Sequence, residues 1–274
     1  MCRWIAYSGS PILLEELIVK PQHSLVEQSL TSRQGAETTN GDGFGVGWYG
    51  ETVQPGLYRE TDPAWNDRNL ADLTRHIRSS MFLAHVRATT GTPIQRTNCH
   101  PFRYQNWLFV HNGFIANYGQ LRRDLAFRIA PELYPLIEGT TDSELMFHLA
   151  LTFGLNEEPL PALERMAGFV ESIGRAHKVE LPLQMTLGLS DGERLYAIRY
   201  STEHKSRTLY HSKSVNALRA VHPQFDRLST DSRSIVSEPL TDLTADWAEI
   251  PESTAVIVDA GDVTQHGFHP RPTV

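Results

Sequence analysis

Residues 106–113, NWLFVHNG, hold the reading on which the fold turns. The run from Asn106 to Asn112 reads as a strand. Asn112-Gly113 closes it, and such a pair beside an apolar run predicts a sharp hairpin turn. A turn of that kind would aim one side-chain amide and one backbone N–H in a common direction. The same chain opens with MCRW, so a cysteine stands more than a hundred positions upstream.

Strand signals extend on both sides of this segment. GFGVGWY (43–49) is a glycine-laced strand, and glycines there imply a bulge or close backbone approach. MFLAHVRAT (81–89) is a strand with Phe82, Ala84 and Val86 on one face and Leu83, His85 and Arg87 on the other. LQMTLGLS and ERLYAIRY flank Asp191-Gly192 and predict a hairpin. RTLYHS, RSIVSE and TAVIVD read as further strands. Helical spacing appears in NDRNLADLTRHI, with Leu70, Leu73 and Ile77 on one face. NYGQLRRDLAFRI follows, with Asn117 and Gln120 as a cap pair. TDSELMFHLALTF carries a Thr141/Glu144 capping box, with Asp142 in the first turn. LPALERMAGFVESI is a further amphipathic helix, and SGSPILLEEL predicts a short helix start capped by Ser10 with Pro11 at its first position. Strands dominate both ends and helices cluster in the middle. That pattern predicts one α+β domain over residues 1–274, with two sheets covered by helices.

Composition narrows the function. The chain has 274 residues, 25 Lys+Arg against 32 Asp+Glu, and a formal net charge of −7. That balance argues against a broad nucleic-acid or anionic-membrane surface. No apolar run is long enough to span a bilayer, and no signal peptide opens the chain, so a cytoplasmic protein is the expectation. Two cysteines exclude a disulfide framework and a four-cysteine zinc site. The 12 histidines are scattered without a His-Glu-x-x-His run, so neither a metal nor a cofactor is expected.

The chemistry begins at Cys2. A small second residue allows the initiator methionine to be removed, leaving a cysteine with a thiol and a free α-amine. That amine ordinarily titrates near about 7.7–8.0, so it can serve as the base for its own thiol. Attack on an amide needs an oxyanion hole, and Asn112 with the Gly113 N–H offers two donors. Arg87, at a strand end in AHVRATTG, suits a carboxylate, with Thr90 just beyond it. Asp142, in GTTDSEL, suits an ammonium group. Taken singly, each residue has an ordinary structural explanation. Taken together, they make a nucleophile, two oxyanion donors and a clamp for the head of an α-amino acid. The amide attacked would then sit at the end of that amino acid's side chain, as in glutamine and γ-glutamyl amides.

At this point the sequence resembles a known family. MC, NGDGFGVGW, AHVRATT, NCHPF, VHNG and TDSE occur in the order seen in class II glutamine amidotransferases, which are N-terminal-nucleophile hydrolases. The resemblance implies a four-layer αββα sandwich of two mainly antiparallel sheets. It implies Cys2 as nucleophile through a γ-glutamyl thioester, and Asn112 and Gly113 as the oxyanion hole. It implies Arg87 and Asp142 on the substrate's carboxylate and amine, with Thr90 and His100 as further substrate contacts and Asp42 in a supporting loop. Where synthase-linked members carry an aromatic residue and a histidine, this chain has Ala88 and Gly91. No synthase, isomerase or phosphoribosyltransferase domain is expected within its length. The pattern is closest to single-domain members that resemble the ergothioneine-pathway γ-glutamyl hydrolase and the amidotransferase subunit of fungal glutathione breakdown. A small-molecule γ-glutamyl substrate is therefore expected, with a leaving amine larger than ammonia. The alternatives are a glutaminase subunit supplying ammonia to a separate synthase, a non-catalytic amino-acid-binding module, and an acylase of other amides, which would leave the Arg87–Asp142 pair unexplained. A synthase or hydrolase partner subunit and a homo-oligomer both stay open.

Overall fold

The computed structural model describes residues 2–34, 39–89, 91–220, 228–242 and 244–272. Strands β1 (Arg3–Leu13), β2 (Phe44–Trp48), β3 (Gly56–Glu60) and β4 (Arg78–Val86) come first. They join β9 (Tyr210–Ser212), β10 (Arg233–Val236) and β11 (Trp247–Glu249) in a seven-stranded sheet of order β11-β9-β10-β1-β4-β2-β3. The second sheet has six strands: β5 (Phe102–Tyr104), β6 (Trp107–Ile115), β7 (Leu183–Ser190), β8 (Arg194–Ser201), β12 (Thr254–Asp259) and β13 (Asp262–Gly267). Its order is β13-β12-β8-β7-β6-β5, and every pairing in both sheets is antiparallel.

The side-chain alternation along these strands explains the layers. On β1, Trp4 and Ala6 face one way and Ile5 and Tyr7 the other, and all four are buried. Trp4, Ala6, Met81, Leu83, Leu108, Val110, Leu195 and Ala197 meet in a core between the two sheets. The opposite faces carry Ile5, Tyr7, Phe82 and Val86 on one sheet and Phe109, Leu187 and Ile198 on the other. Helices α1 (Glu15–Ile18), α2 (Leu25–Leu30) and α3 (Arg68–His76) cover the first of these outer faces. Helices α4 (Tyr118–Ala126), α5 (Asp142–Thr152) and α6 (Pro159–Ala176) cover the second. A sheet buried on both faces needs apolar residues at successive positions rather than in strict alternation with polar ones, and both sheets show this. The result is the expected αββα sandwich. Among the described residues no helix is long and apolar enough to cross a membrane.

Gly188 on β7 makes room in the middle layer, because a Cβ there would lie 2.8 Å from both Trp4 Cζ3 and Val110 Cγ2. The helical expectations for residues 68–76, 118–126, 142–152 and 159–176 are met, and Thr141 caps α5 by accepting from the Glu144 N–H. The Glu144 carboxylate accepts instead from the N–H groups of Glu138 and Gly139, so only half of the capping box forms.

Three local expectations fail for identifiable reasons. Ser10 and Pro11 do not start a helix: β1 runs through them, and α1 begins at Glu15. Pro11 lacks an N–H, and it sits where the β1–β4 register shifts between Ser8 and Ile12, a position that does not require one. Asn117 precedes α4 at φ 53° in the left-handed region and makes no side-chain cap. The predicted hairpin turn at Asn112-Gly113 is absent. β6 continues through both residues, which pair with Thr186 and Met185 of β7. The tight turn comes earlier, at Gln105 (φ 51°), between β5 and β6. Gly113 is there for clearance: a Cβ would lie 2.0 Å from the Gln184 carbonyl oxygen and 2.5 Å from His111 Nε2.

Candidate active site

Cys2 directly precedes β1, and its thiol lies 3.5 Å from the Ala88 carbonyl oxygen, which accepts from it. Its own carbonyl accepts from Arg3 Nη1 at 2.8 Å. Arg3 is 3% exposed and ion-paired through Nε with Glu238 at 2.6 Å. Glu238 also accepts from the N–H groups of Arg33 and Gln34, so one buried carboxylate ties the start of the chain to a distant loop. Two residues on, Trp4 Nε1 donates to Thr186 Oγ1 at 3.2 Å, and that hydroxyl donates to the Asn112 carbonyl at 3.3 Å. The cysteine's strand and the Asn112 strand, from different sheets, are thus tied at one end of the middle layer. Burial pushes the Cys2 thiol above its ordinary value, while the Arg87 and Arg3 charges act against that rise.

Gly113 offers its N–H through strand geometry. The Ile115 N–H donates to Asp142 Oδ2 at 2.7 Å, and the Ala116 N–H donates to Pro182 O at 2.8 Å. Successive N–H groups of a strand point to opposite edges, so the Gly113 N–H points the same way as that of Ile115, away from β7. β5, on that edge, pairs only as far as Phe109. The Gly113 N–H therefore faces an edge that no strand covers among the described residues. Asn112 projects toward the middle layer, on the side of Leu108 and Val110, and is 3% exposed. Its side-chain amide has no hydrogen-bond partner among the described residues.

Arg87 follows β4 and is 3% exposed. Its backbone continues the β2 pairing by donating to Gly43 O, while its carbonyl accepts from the Asp42 N–H. Its guanidinium donates to Thr92 Oγ1 (2.6 Å), Thr89 Oγ1 (3.2 Å), Pro93 O (3.3 Å) and Asp42 O (3.2 Å). In this state it pins its own loop, and a substrate carboxylate would have to displace the threonine hydroxyls. Asp42 supports the same loop, its carboxylate accepting from the Thr89 N–H at 2.8 Å. Thr90 lies outside the described residues. Asp142 opens α5, and its two carboxylate oxygens accept from the Ile115 and Ser143 N–H groups. A carboxylate has about four acceptor positions, so room for an ammonium group is left.

Asn98 was missed in the sequence, although it opens the singled-out NCHPF. It is fully buried, its Nδ2 donates to Pro93 O at 2.9 Å, and its Oδ1 accepts from the Thr140 N–H at 2.8 Å. It thereby joins the loop after Arg87 to the loop before Asp142. The only signal was an amide side chain in a stretch with few apolar neighbours, which is too common to single out.

His100 packs behind the site. It is 3% exposed and lies against His85 (4.2 Å between ring centroids) and Phe102 (4.5 Å). Neither of its ring nitrogens has a partner among the described residues. His85 Nε2 donates to the His111 carbonyl, and His111 Nδ1 meets Ser143 Oγ at 2.8 Å. Burial lowers all three imidazoles, His85 to about 3. This has a consequence for stability. An unfolded histidine takes its proton near about 6.5. Below that pH the unfolded chain binds protons that the folded chain refuses, so stability falls as pH drops from about 6.5 toward 3. Each such histidine contributes a slope of up to about 1.4 kcal/mol per pH unit. Urea-unfolding midpoints should therefore decline steadily below about pH 6.5, and less steeply in His85→Gln. A profile with the same slope in both proteins would contradict this.

Among the described residues, no group of three His, Cys, Asp or Glu side chains is arranged to hold a metal ion. Cys99 is fully buried, with its thiol pushed up to about 11 by burial, and it packs where Gly43 leaves space.

Comparison with known proteins agrees with this architecture. The family of class-II glutamine amidotransferases matches residues 16–273, a span that begins after Cys2. The probable glutamine amidotransferase DUG3 of Saccharomyces cerevisiae is 30% identical over 97% of this chain and 84% of its own length. The gamma-glutamyl-hercynylcysteine sulfoxide hydrolase of Mycolicibacterium smegmatis is 32% identical over 57% of this chain and 65% of its own. A glutamine aminotransferase class-II domain protein from Silicibacter pomeroyi superposes with a TM-score of 0.73 and 32% identity, covering 98% of this chain and 100% of that one. The glutamine phosphoribosylpyrophosphate amidotransferase of Bacillus subtilis, 14% identical with a TM-score of 0.65, shares the fold over 98% of this chain and 50% of its own. With a family match over nearly its whole length, this chain belongs to the class II glutamine amidotransferases.

Proposed function

We propose that this chain hydrolyses a γ-glutamyl amide to glutamate and an amine, through a thioester on Cys2. What supports the reading is that named contacts link the elements bearing four chemistries: Cys2 meets Ala88 next to Arg87, Trp4 reaches the Asn112 carbonyl through Thr186, and Asp142 accepts from the Ile115 N–H. The four chemistries are a thiol at the start of β1, an unpartnered amide on Asn112, an N–H on an uncovered strand edge at Gly113, and the Arg87–Asp142 pair. The names of the two sequence relatives, one an amidotransferase and one a γ-glutamyl hydrolase, support the same class of reaction.

The steps follow from these groups. Removal of Met1 frees the Cys2 α-amine. Because burial raises the thiol, it stays protonated at neutral pH and needs that base. The amine takes the thiol proton as sulfur bonds to the δ-carbonyl carbon of the γ-glutamyl group. The oxyanion is held by Asn112 Nδ2 and the Gly113 N–H. The C–N bond then breaks, and the proton passes from the α-ammonium to the leaving amine. Water adds to the thioester, its proton returns to sulfur through the same amine, and glutamate departs. Arg87 holds the substrate α-carboxylate in exchange for its threonine contacts, and Asp142 takes the α-ammonium.

The test combines intact mass with turnover. Protein starting at Cys2 should release glutamate from at least one of glutamine, glutathione and simpler γ-glutamyl amides. Acid quench during turnover should trap protein heavier by one γ-glutamyl group. Retained Met1 in active material, or no glutamate from any of these compounds, would sink the proposal.

A further inference from the structure

One buried side chain spans the two halves of the amino-acid clamp. Asn98 ends a short 3-10 turn over Arg96–Asn98 and is fully buried. On one side its Nδ2 donates to Pro93 O at 2.9 Å. The same carbonyl accepts from Arg87 Nη2 at 3.3 Å. A carbonyl oxygen has two lone pairs, so it holds both donors at once. On the other side Asn98 Oδ1 accepts from the Thr140 N–H at 2.8 Å, and Nδ2 also donates to Thr140 Oγ1 at 3.1 Å. Thr140 stands two residues before Asp142. The amide thus acts as a peptide group would, with a donor for one loop and an acceptor for the other.

The loop before Asp142 is shaped to receive this contact. A Cβ on Gly139 would lie 2.5 Å from Asn98 Oδ1 and 2.7 Å from Thr97 O, so glycine lets the amide approach. The Glu144 carboxylate accepts from the Glu138 and Gly139 N–H groups at 2.9 and 2.7 Å. With the Thr140 N–H on Asn98, three consecutive N–H groups are held. Thr141 then caps α5, and Asp142 follows as its first residue. On the Arg87 side, an incoming carboxylate displaces the Thr89 and Thr92 hydroxyls. The carbonyls of Asp42 and Pro93 remain to aim the guanidinium, and Asn98 anchors the second of them.

We infer that Asn98 is a positioning residue for the proposed hydrolysis, fixing the separation of Arg87 from Asp142 and so making the two charges act as one clamp. The inference rests on the hydrolytic reading above. It adds the group that sets how strictly an intact α-amino-acid head is required. Two charges on independent loops would each have to be ordered as the substrate arrives. Two charges joined beforehand bind without that cost.

L-Glutamate carries both charged groups of the head, glutarate lacks the amine, and 4-aminobutyrate lacks the α-carboxylate. Their inhibition constants are measured with wild type, Asn98→Ala and Asn98→Asp, each confirmed by intact mass to begin at Cys2. The reaction inhibited is whichever of glutamine, glutathione and γ-glutamylglycine the wild type hydrolyses. Wild type should favour glutamate over each analogue by about tenfold or more, the scale of one charge-assisted hydrogen bond. Asn98→Ala should bring both ratios toward one. It should also raise KM more than it lowers kcat, because the head contacts are made in ground and transition states alike. Asn98→Asp keeps the shape and the acceptor for the Thr140 N–H but loses the donor to Pro93 O, so it carries the test even where Asn98→Ala does not fold. It should lose the preference over 4-aminobutyrate and keep most of the preference over glutarate. A purely structural role would lower kcat through the active fraction and leave both ratios as in wild type, and that outcome in either variant would overturn the inference while leaving hydrolysis intact. Equal loss at the two ends in Asn98→Asp would do the same, as would wild type that binds 4-aminobutyrate as tightly as glutamate. Failure of wild type to hydrolyse any of the three compounds would overturn the hydrolytic reading and this inference together.

Discussion

Replacing Cys2 with alanine is expected to lower glutamate release by at least about 10⁴-fold while leaving the fold in place, because loss of a nucleophile removes a whole reaction path. The change deletes one sulfur atom whose sole polar contact among the described residues is the 3.5 Å approach to Ala88 O. The structural ties of this segment run through the Cys2 backbone carbonyl, Arg3 and Trp4, and the substitution touches none of them. Stability should therefore shift by only about 1 kcal/mol, since the lost sulfur is buried but its one hydrogen bond among the described residues is long. Alanine is also small enough at the second position for Met1 to be removed, so the variant keeps a free α-amine. That amine without a thiol forms no thioester. The γ-glutamyl adduct seen on acid quench of wild type should vanish with the activity. Glutamate release by Cys2→Ala near the wild-type rate would end the nucleophile assignment, whatever its effect on KM.

The second large effect is expected at Asn112. Asn112→Ala should reduce kcat by about 10²–10³-fold with little change in KM, because an oxyanion donor acts on charge that exists only in the transition state. The variant is a useful probe, since the amide has no hydrogen-bond partner among the described residues and its removal breaks no hydrogen bond there. Gly113 cannot be tested by the same route. Any side chain there meets the Gln184 carbonyl, so Gly113→Ala would disturb the strand pairing before it reported on an N–H. Steady-state kinetics on one γ-glutamyl substrate, with the unfolding midpoint as control, decides the matter. A kcat within about threefold of wild type would remove Asn112 from the oxyanion hole.

Much of the fold was legible because it rests on local periodicity. Leu70, Leu73 and Ile77 predict α3 through helical spacing, and Thr141 marks the start of α5 through its cap. Asp191-Gly192 correctly joins β7 to β8, since both partners lie next to the turn. Asn112-Gly113 carries the same kind of signal and misleads. Its partner strand, β7, lies some seventy residues on in sequence, and no local rule anticipates it. Pro11 misleads in the same way, because its meaning depends on a register shift against β4.

The candidate site divides along the same line. Cys2, Arg87, Asn112, Gly113 and Asp142 were singled out by residue type and order. Asn98 and Glu238 were not, because each acts across a long sequence separation. Within residues 231–239, Ser237 lines a cavity of about 150 Å³ that Asn112 also lines. Residues 22–29 lead into and form most of α2, where Ser24 caps and Gln28 bonds to the His23 carbonyl.

The sequence by itself determined the helices, most of the strands and the set of reactive residue types, because those follow from the side chains of neighbouring positions. Tertiary structure alone decided how the Gly113 N–H comes to be offered. The donor faces outward because β6 pairs with β7 on one edge, while β5 ends at Phe102 opposite Phe109 on the other. Strand alternation then turns every second N–H toward the uncovered edge. The hairpin read from Asn112-Gly113 is replaced by a continuous strand. The unpaired donor comes from where a neighbouring strand stops, a property of the assembled sheet that no single stretch of sequence contains.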